Sequence, residues 1–235
     1  MSIDTAQHKS ILVRILKDIF TDKAIAPFLG FKGGTAALLF YNLPRFSVDL
    51  DFDLLNDGKA TLVFDHVKTL LEKYGIVKQA EQKRYTIFFL LAYNEKRSDA
   101  QNIKVEINKR NFGSSYEVRH YLGIPMQVMV QQDIIAHKLV AMIERIGKAN
   151  RDIFDSWFFL DQNWPINKSI IELRAHVSYK DFLSNAITVL EKMNNRNILS
   201  GLGELVDAKQ KAWVKTHLKE EILFLLRLLH AQQLS

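Results

Sequence analysis

Two aspartates in the segment FSVDLDFDL are the side chains of this sequence best suited to chemistry. Alternating polar and apolar residues predict a strand over residues 46–54, and residues i and i+2 of a strand point to the same face. Asp49 and Asp51 would therefore converge, and two carboxylates that close stay ionised only beside a cation. Such a pair is typical of Mg²⁺ sites completed by substrate phosphate oxygens. The alternative is an edge strand whose polar residues face solvent.

A second candidate element is Lys32-Gly33-Gly34-Thr35, which precedes a short helix predicted over residues 36–41 with Thr35 as its N-cap. Glycines before a helix let backbone N–H groups approach an anion, and the helix dipole favours phosphate there. The same residues also fit an ordinary tight turn with a cap.

A third carboxylate, Glu106, lies in the alternating segment IKVEIN, which predicts a strand over residues 103–108. On a neighbouring strand it would complete a two-metal site, in which ions about 3.5–4 Å apart clamp the attacking and leaving oxygens. Alternatively, Glu106 forms an ordinary cross-strand pair with a lysine.

The elements that position these residues follow from hydrophobic periodicity, which changes character near residue 132. Before that point helices alternate with strands, and after it the pattern is helical throughout. This change predicts an α/β core over residues 1–132 and a helical domain over residues 133–235. Further helices are predicted over residues 6–23, 133–148, 151–162, 167–176, 179–194 and 204–232, and apolar residues between 62 and 71 mark another that Gly75 closes. A strand pair is predicted over residues 76–93 and a further strand within residues 119–130.

Composition excludes several classes of protein. The chain has 235 residues and no cysteine, so disulfides and thiolate metal sites are excluded. The longest apolar stretch, residues 87–93, is far short of the roughly 20 residues that span a bilayer, and charged residues interrupt the amino terminus. We therefore expect a cytoplasmic protein. A formal net charge of +6 fits a polyanionic partner without demonstrating one.

Taken together, these motifs resemble a known family. The stretch FKGGTAALLFYNLPRFSVDLDFDL is similar to the opening motif of the AbiEii/AbiGii toxins. These toxins are the nucleotidyltransferases of AbiE-type toxin–antitoxin systems, are related to the MenT toxins, and belong to the DNA polymerase β-like superfamily. The segments DIIAHKLVA and RDIFD resemble the family's K-x-x-A helix and R-D-h-x-D-h motif. The resemblance covers roughly residues 28–162.

The resemblance implies a mixed, twisted sheet flanked by helices, followed by a C-terminal all-α helical bundle. It implies transfer of a nucleotide from an NTP to an acceptor hydroxyl, with release of pyrophosphate. Mg²⁺ or Mn²⁺ would be bound by Asp49, Asp51 and Glu106. Lys138 would contact the triphosphate and Asp152 would belong to the active site, so that the C-terminal domain contributes both. Candidate nucleotide-binding residues are Lys32, Gly33, Gly34, Thr35, Arg45, Ser47 and Lys138.

Without the resemblance, Lys138 is interpreted as a surface lysine and Asp152 as one half of a salt bridge that opens a helix. The family suggests the 3′ end of tRNA as acceptor and a cognate antitoxin, a winged-helix regulator encoded nearby. A protein side chain or a small molecule is the alternative acceptor. A third reading is a nucleotide- or RNA-binding protein without catalysis. Four lysines could form a basic face for RNA or only a solvated surface: Lys209, Lys211, Lys215 and Lys219.

Overall fold

The computed structural model describes residues 4–93 and 101–234, and internal contacts divide this part of the chain into two compact units. Unit 1 comprises the described parts of Met1–Asn42, Phe46–Asn111 and Ser115–Met129. Unit 2 comprises the described parts of Leu43–Arg45, Phe112–Ser114 and Val130–Ser235.

Unit 1 contains a seven-stranded sheet with the order β3-β4-β5-β2-β1-β7-β6 in the described residues. The pairs β2–β5 and β1–β7 are parallel and the others antiparallel, so the sheet is mixed. The strands are β1 (Leu29–Lys32), β2 (Leu50–Leu54), β3 (Ile76–Gln82), β4 (Thr86–Tyr93), β5 (Gln101–Asn108), β6 (Tyr116–Tyr121) and β7 (Ile124–Met129).

Three helices pack on this sheet: α1 (Thr5–Thr21), α2 (Gly33–Phe40) and α3 (Ala60–Leu71). Helix α1 begins where the Asp4 side chain accepts a hydrogen bond from the backbone N–H of Gln7, a standard N-cap. Its apolar residues recur every three or four positions and are buried, which orients the helix on the core. This mixed sheet with flanking helices is the fold class that the sequence predicts.

The strand predicted over residues 46–54 is shorter than expected, because β2 begins only at Leu50. Its neighbours set this limit. Strand β1 ends at Lys32, which pairs with Asp51, and the pairing with β5 begins at Leu50. Residues 46–49 therefore have no strand pairing on either side in the described residues, and Asp49 precedes the strand rather than lying in it.

Unit 2 is built from helices in the described residues. They are α4 (Gln131–Glu144), α5 (Arg151–Asp161), α6 (Lys168–Ala175), α7 (Tyr179–Lys192), α8 (Ala208–Thr216) and α9 (Leu218–Ala231). The single helix predicted over residues 204–232 was wrong. A capping box between Asp207 and Gln210 starts α8, and the backbone of His217, at φ −122° and ψ −37°, separates α8 from α9. No helix in the described residues is long and apolar enough to cross a membrane.

Candidate active site

The central strands of unit 1 carry polar side chains on one face and apolar side chains on the other. Leu50, Phe52, Val105 and Ile107 are fully buried, and the residues between them are polar. In the parallel pair β2–β5, Asp51 is the register partner of Glu106. Register partners on adjacent strands point to the same side of a sheet, so the structure brings these two acids together.

Asp49 joins them from the segment before β2. One of its carboxylate oxygens, Oδ1, accepts a hydrogen bond from the backbone N–H of Lys104, with a distance of 3.3 Å. The Lys104 ammonium lies 3.8 Å from the other oxygen, Oδ2, and 3.3 Å from Glu106 Oε2. Asp49, Asp51 and Glu106 therefore lie around one lysine that the sequence motifs had not singled out. Its place in IKVEIN, two residues before Glu106, was the available signal.

The electrostatics of this cluster are dominated by negative charge. Burial alone would lower the pKa of the Lys104 ammonium, but the charges of Asp51, Asp49 and Glu106 outweigh it and raise that pKa. A single ammonium neutralises at most one of three carboxylate charges. Carboxylate oxygens are the ligands that Mg²⁺ and Mn²⁺ prefer, so the donor set suits such an ion. With the side chains placed as they are, the described residues contain no group of three or more acidic or histidine side chains arranged to hold a metal ion.

The glycine turn lies directly beside Asp51. Gly33 has φ +80°, a left-handed conformation that favours glycine, and a Cβ added there would collide with the Asp51 carboxylate. Helix α2 begins at Gly33 with Lys32 in the cap position, so the predicted N-cap role of Thr35 was wrong. The Thr35 hydroxyl instead donates to the Asp49 carbonyl oxygen at 2.5 Å and lies 3.0 Å from Ser47 Oγ. Thr35 and Ser47 thus fix the backbone that carries Asp49.

Lys32 lies beside Asp51 in the sheet register, but its ammonium bonds Asp53, with Nζ 2.5 Å from Oδ1. Asp53 also accepts hydrogen bonds from Asn108 Nδ2, at 2.8 Å, and from the Tyr116 hydroxyl. The carboxylate of Asp53 is therefore satisfied by neighbouring side chains. Polar alternation in β5 points to Asn108, whereas nothing in the sequence points to Tyr116.

A second cluster of charged side chains lies in unit 2. Arg45 binds Asp155 through two hydrogen bonds, from Nε at 2.5 Å and from an Nη at 2.6 Å. The Lys138 ammonium lies 2.7 Å from Asp155 and 3.0 Å from Asp152. Arg145 approaches Asp152 Oδ2 to 2.7 Å as an ion pair, although that oxygen has no partner in hydrogen-bonding geometry. We call these five residues the unit 2 charge cluster.

The carboxylates of this cluster are fully buried. Burial would raise the pKa of Asp155, but the Arg45 guanidinium and the Lys138 ammonium outweigh it and hold that pKa at about 2. Buried charges persist only when they are paired in this way. Lys138, Asp152 and Arg45 were all predicted as site residues, and the structure gives each an ion-pair partner. Their predicted contacts with nucleotide stay predictions.

The mixed sheet with flanking helices is the fold of nucleotidyltransferases. Residues 14–221 match the family described as "Nucleotidyl transferase AbiEii toxin, Type IV TA system". The chain belongs to this AbiEii family, as its motifs predict, and is therefore a member of a nucleotidyltransferase family.

Solved structures show the same fold. JHP933 from Helicobacter pylori superposes with a TM-score of 0.65 at 22% identity, over 99% of this chain and 94% of that one. MenT4, the nucleotidyltransferase toxin Rv2826c from Mycobacterium tuberculosis H37Rv, gives 0.59 at 17% identity, over 94% of this chain and 84% of that one. Among curated proteins, no sequence match is found.

Proposed function

We propose that this chain transfers a nucleotide from an NTP to an acceptor hydroxyl in a reaction that requires Mg²⁺ or Mn²⁺, and that the acceptor is the 3′ end of tRNA. The observation that carries the proposal is the placement of Asp49, Asp51 and Glu106 on one polar face beside the Gly33 turn. Excess negative charge next to a glycine turn and a helix start suits a cation and the phosphates of a nucleotide.

Each residue has a distinct part in this proposal. Asp49, Asp51 and Glu106 would hold the divalent cation, and Gly33 and its neighbours would bind the β- and γ-phosphates. When bound, the cation neutralises phosphate charge and lowers the pKa of the acceptor hydroxyl. The protein contributes alignment, because register pairing fixes Asp51 against Glu106 and Lys104 N–H fixes Asp49.

Other residues hold the acids and the turn in position. Thr35 and Ser47 hold the backbone at Asp49, and Lys32 holds Asp53 beside the turn. The proposal retains the prediction that Lys138 contacts the triphosphate. A lysine ammonium is well suited to phosphate, although in this structure it binds two carboxylates.

An RNA acceptor is supported by helix α8. This helix carries Lys209, Lys211 and Lys215 and no acidic residue. The Trp213 ring packs on Trp157 with ring centroids 4.2 Å apart. Lysines displace condensed counterions from a nucleic acid, and partly exposed aromatic rings offer surfaces on which bases stack.

The decisive experiment is transfer of label from each of four α-³²P-labelled NTPs to total tRNA in the presence of Mg²⁺. Label should enter the tRNA band, and oxidation of the terminal ribose with periodate should abolish it by destroying the acceptor hydroxyls. Label in added proteins or small molecules, with none in RNA, would replace tRNA as the acceptor. Absence of pyrophosphate release with every acceptor would instead favour a non-catalytic binding protein.

The α8 surface has its own test. Lys209→Gln with Lys215→Gln should raise the KM for tRNA about ten-fold and flatten its dependence on salt. The matched control is Lys180→Gln with Lys192→Gln, two exposed lysines of α7. Equal effects in both pairs would show that only net charge matters.

The toxin family implies an antitoxin. We propose a winged-helix regulator encoded beside this chain as the cognate antitoxin. Co-expression should restore the growth of cells that produce the toxin, and failure to do so would exclude that regulator.

A further inference from the structure

Lys104 occupies an unusual position among the acids of the candidate site. Its ammonium lies 3.8 Å from Asp49 and 3.3 Å from Glu106, and its backbone N–H separately bonds Asp49. Two residues that are proposed to bind a divalent cation thus already share a monovalent one from the protein itself.

We infer that the Lys104 ammonium is an internal counter-ion that competes with the divalent cation for Asp49 and Glu106, and so sets the metal affinity of the site. The inference rests on the proposed function, because it assigns these acids to metal. Lys104 is in this sense a positioning residue, which acts through the carboxylates.

The geometry supports competition rather than a permanent pair. The ammonium approaches Asp49 Oδ2 and Glu106 Oε2, so it already occupies one oxygen of each of two acids that would hold the ion. Positive charges that close to one another repel, so the ammonium must leave when the ion binds. The Lys104 side chain is 29% exposed and has a flexible four-carbon stem, which allows it to swing toward solvent.

The backbone contact makes this exchange possible without loss of the site. The N–H of Lys104 holds Asp49 Oδ1 whichever way the side chain points. The pairing of β5 with β2 likewise fixes Glu106 against Asp51 independently of the ammonium. Removal of the ammonium should therefore take away a competitor for these acids and leave them in place.

The test is Mn²⁺ affinity of the full chain, measured as free Mn²⁺ by electron paramagnetic resonance without nucleotide. Lys104→Met should bind Mn²⁺ about ten-fold more tightly, since a positive charge a few ångströms from the ligand oxygens is removed. Lys104→Arg keeps the charge and should stay within about three-fold of wild type. The matched control is Lys109→Met, directly after the same strand, because Lys109 Nζ bonds the Lys83 carbonyl oxygen and forms no ion pair with an acid among the described residues.

Thermal unfolding gives a second readout. In EDTA, Lys104→Met should unfold about 2–4 °C below wild type, because the carboxylates lose their counter-ion, and Mn²⁺ should reverse this difference. Mn²⁺ affinity that is unchanged or weaker in Lys104→Met, while Lys109→Met behaves like wild type, would overturn the inference.

A failed role for Lys104 and a failed metal site give different results. Wild-type binding of Mn²⁺ that is lost in Asp51→Asn, with no tightening in Lys104→Met, would leave the proposed function intact and remove the role of Lys104. Binding detectable only in Lys104→Met would support both. Absence of Mn²⁺ binding in every variant would remove the metal assignment and the role of Lys104 together.

Discussion

The acid cluster of unit 1 consists of Asp49, Asp51 and Glu106 around Lys104. It contains the same kinds of side chain as the unit 2 charge cluster, but the two clusters differ in exposure and in charge balance. In unit 1, Asp49, Glu106 and Lys104 are 19%, 38% and 29% exposed, and the lysine offsets only part of the negative charge. In unit 2, Asp152 and Asp155 are fully buried and bound by three cationic side chains.

This difference separates a binding arrangement from a structural one. Charges that lie near solvent can take a ligand, whereas buried charges must be matched within the protein. The unit 1 cluster should therefore matter for activity more than for stability, and the unit 2 cluster should contribute strongly to stability whatever else it does.

The largest expected effect is on activity, from Asp51→Asn. The amide keeps the shape of the side chain and removes the charge, so nucleotidyl transfer should fall on the order of 10³-fold or more. The thermal midpoint should stay within about 2 °C of wild type or rise, because like charges no longer repel. Steady-state transfer assays and thermal unfolding measure the two quantities.

Asp57→Asn is the matched control, since Asp57 is an exposed residue of the same unit with no part in the cluster. Normal turnover in Asp51→Asn, or unfolding of that variant, would contradict the proposed contrast between the clusters.

The second prediction concerns Asp155→Asn, which leaves the charges of Arg45 and Lys138 short of a buried partner. Removal of one charge from a buried ion pair typically costs about 3–5 kcal/mol. We expect a loss of this size in the free energy of unfolding. Urea denaturation measures it. Asp161→Asn, an exposed position at the end of the same helix, should be neutral within about 0.5 kcal/mol. Near-wild-type stability of Asp155→Asn would show that the cluster is not structural.

The two clusters also differ in how far the sequence predicts them. The acid cluster rests on strand alternation and on a motif, which identify Asp49, Asp51 and Glu106 as candidates. Alternation also gives the face of β5 on which Glu106 lies. The motif names Lys138 and Asp152 as well.

Pairings remote in sequence could not be predicted in this way. Arg45 and Asp155 are 110 residues apart, and nothing in either segment specifies the other. Lys104 was visible as a neighbour of Glu106, but only the register with β2 places it beside Asp49. Thr35 matched an N-cap pattern, yet its hydroxyl is used by Asp49 and Ser47. Tertiary contacts therefore decide which local pattern prevails.

The third prediction is a pair of glycine variants that isolates contact with the acid cluster. Gly33 and Gly123 both have φ +80°, but an added Cβ meets Asp51 at Gly33 and nothing within 4 Å at Gly123. Gly123→Ala should cost about 1 kcal/mol from backbone strain alone. Gly33→Ala should cost about 1–3 kcal/mol and lower activity as well, because Asp51 must move. Urea denaturation and transfer assays measure both. Equal losses of stability with full activity in both variants would show that the close contact between Gly33 and Asp51 does not matter for activity.

The smallest effect is expected from pH, through His8, a buried residue of α1 whose imidazole bonds the Val48 carbonyl oxygen at 2.9 Å. Burial lowers the pKa of His8 below 6.5, and the bond to Val48 and the charge of Asp49 only partly oppose this. The unfolded chain therefore binds a proton that the folded chain does not, so the free energy of unfolding should fall as pH drops below about 6.5. One proton limits the slope to about 1.4 kcal/mol per pH unit.

Comparison of urea denaturation at pH 7.5 and pH 5.5 tests this in wild type and in His8→Gln, which keeps a hydrogen-bonding side chain that does not titrate. The wild type should lose more stability over this range than His8→Gln. His120→Gln, at an exposed position, should keep the wild-type pH dependence. His8 bonds the backbone at Val48, next to Asp49. The result therefore also measures how far this backbone contact beside the acid cluster depends on a neutral imidazole. An unchanged pH dependence in His8→Gln would assign the acid sensitivity to other groups.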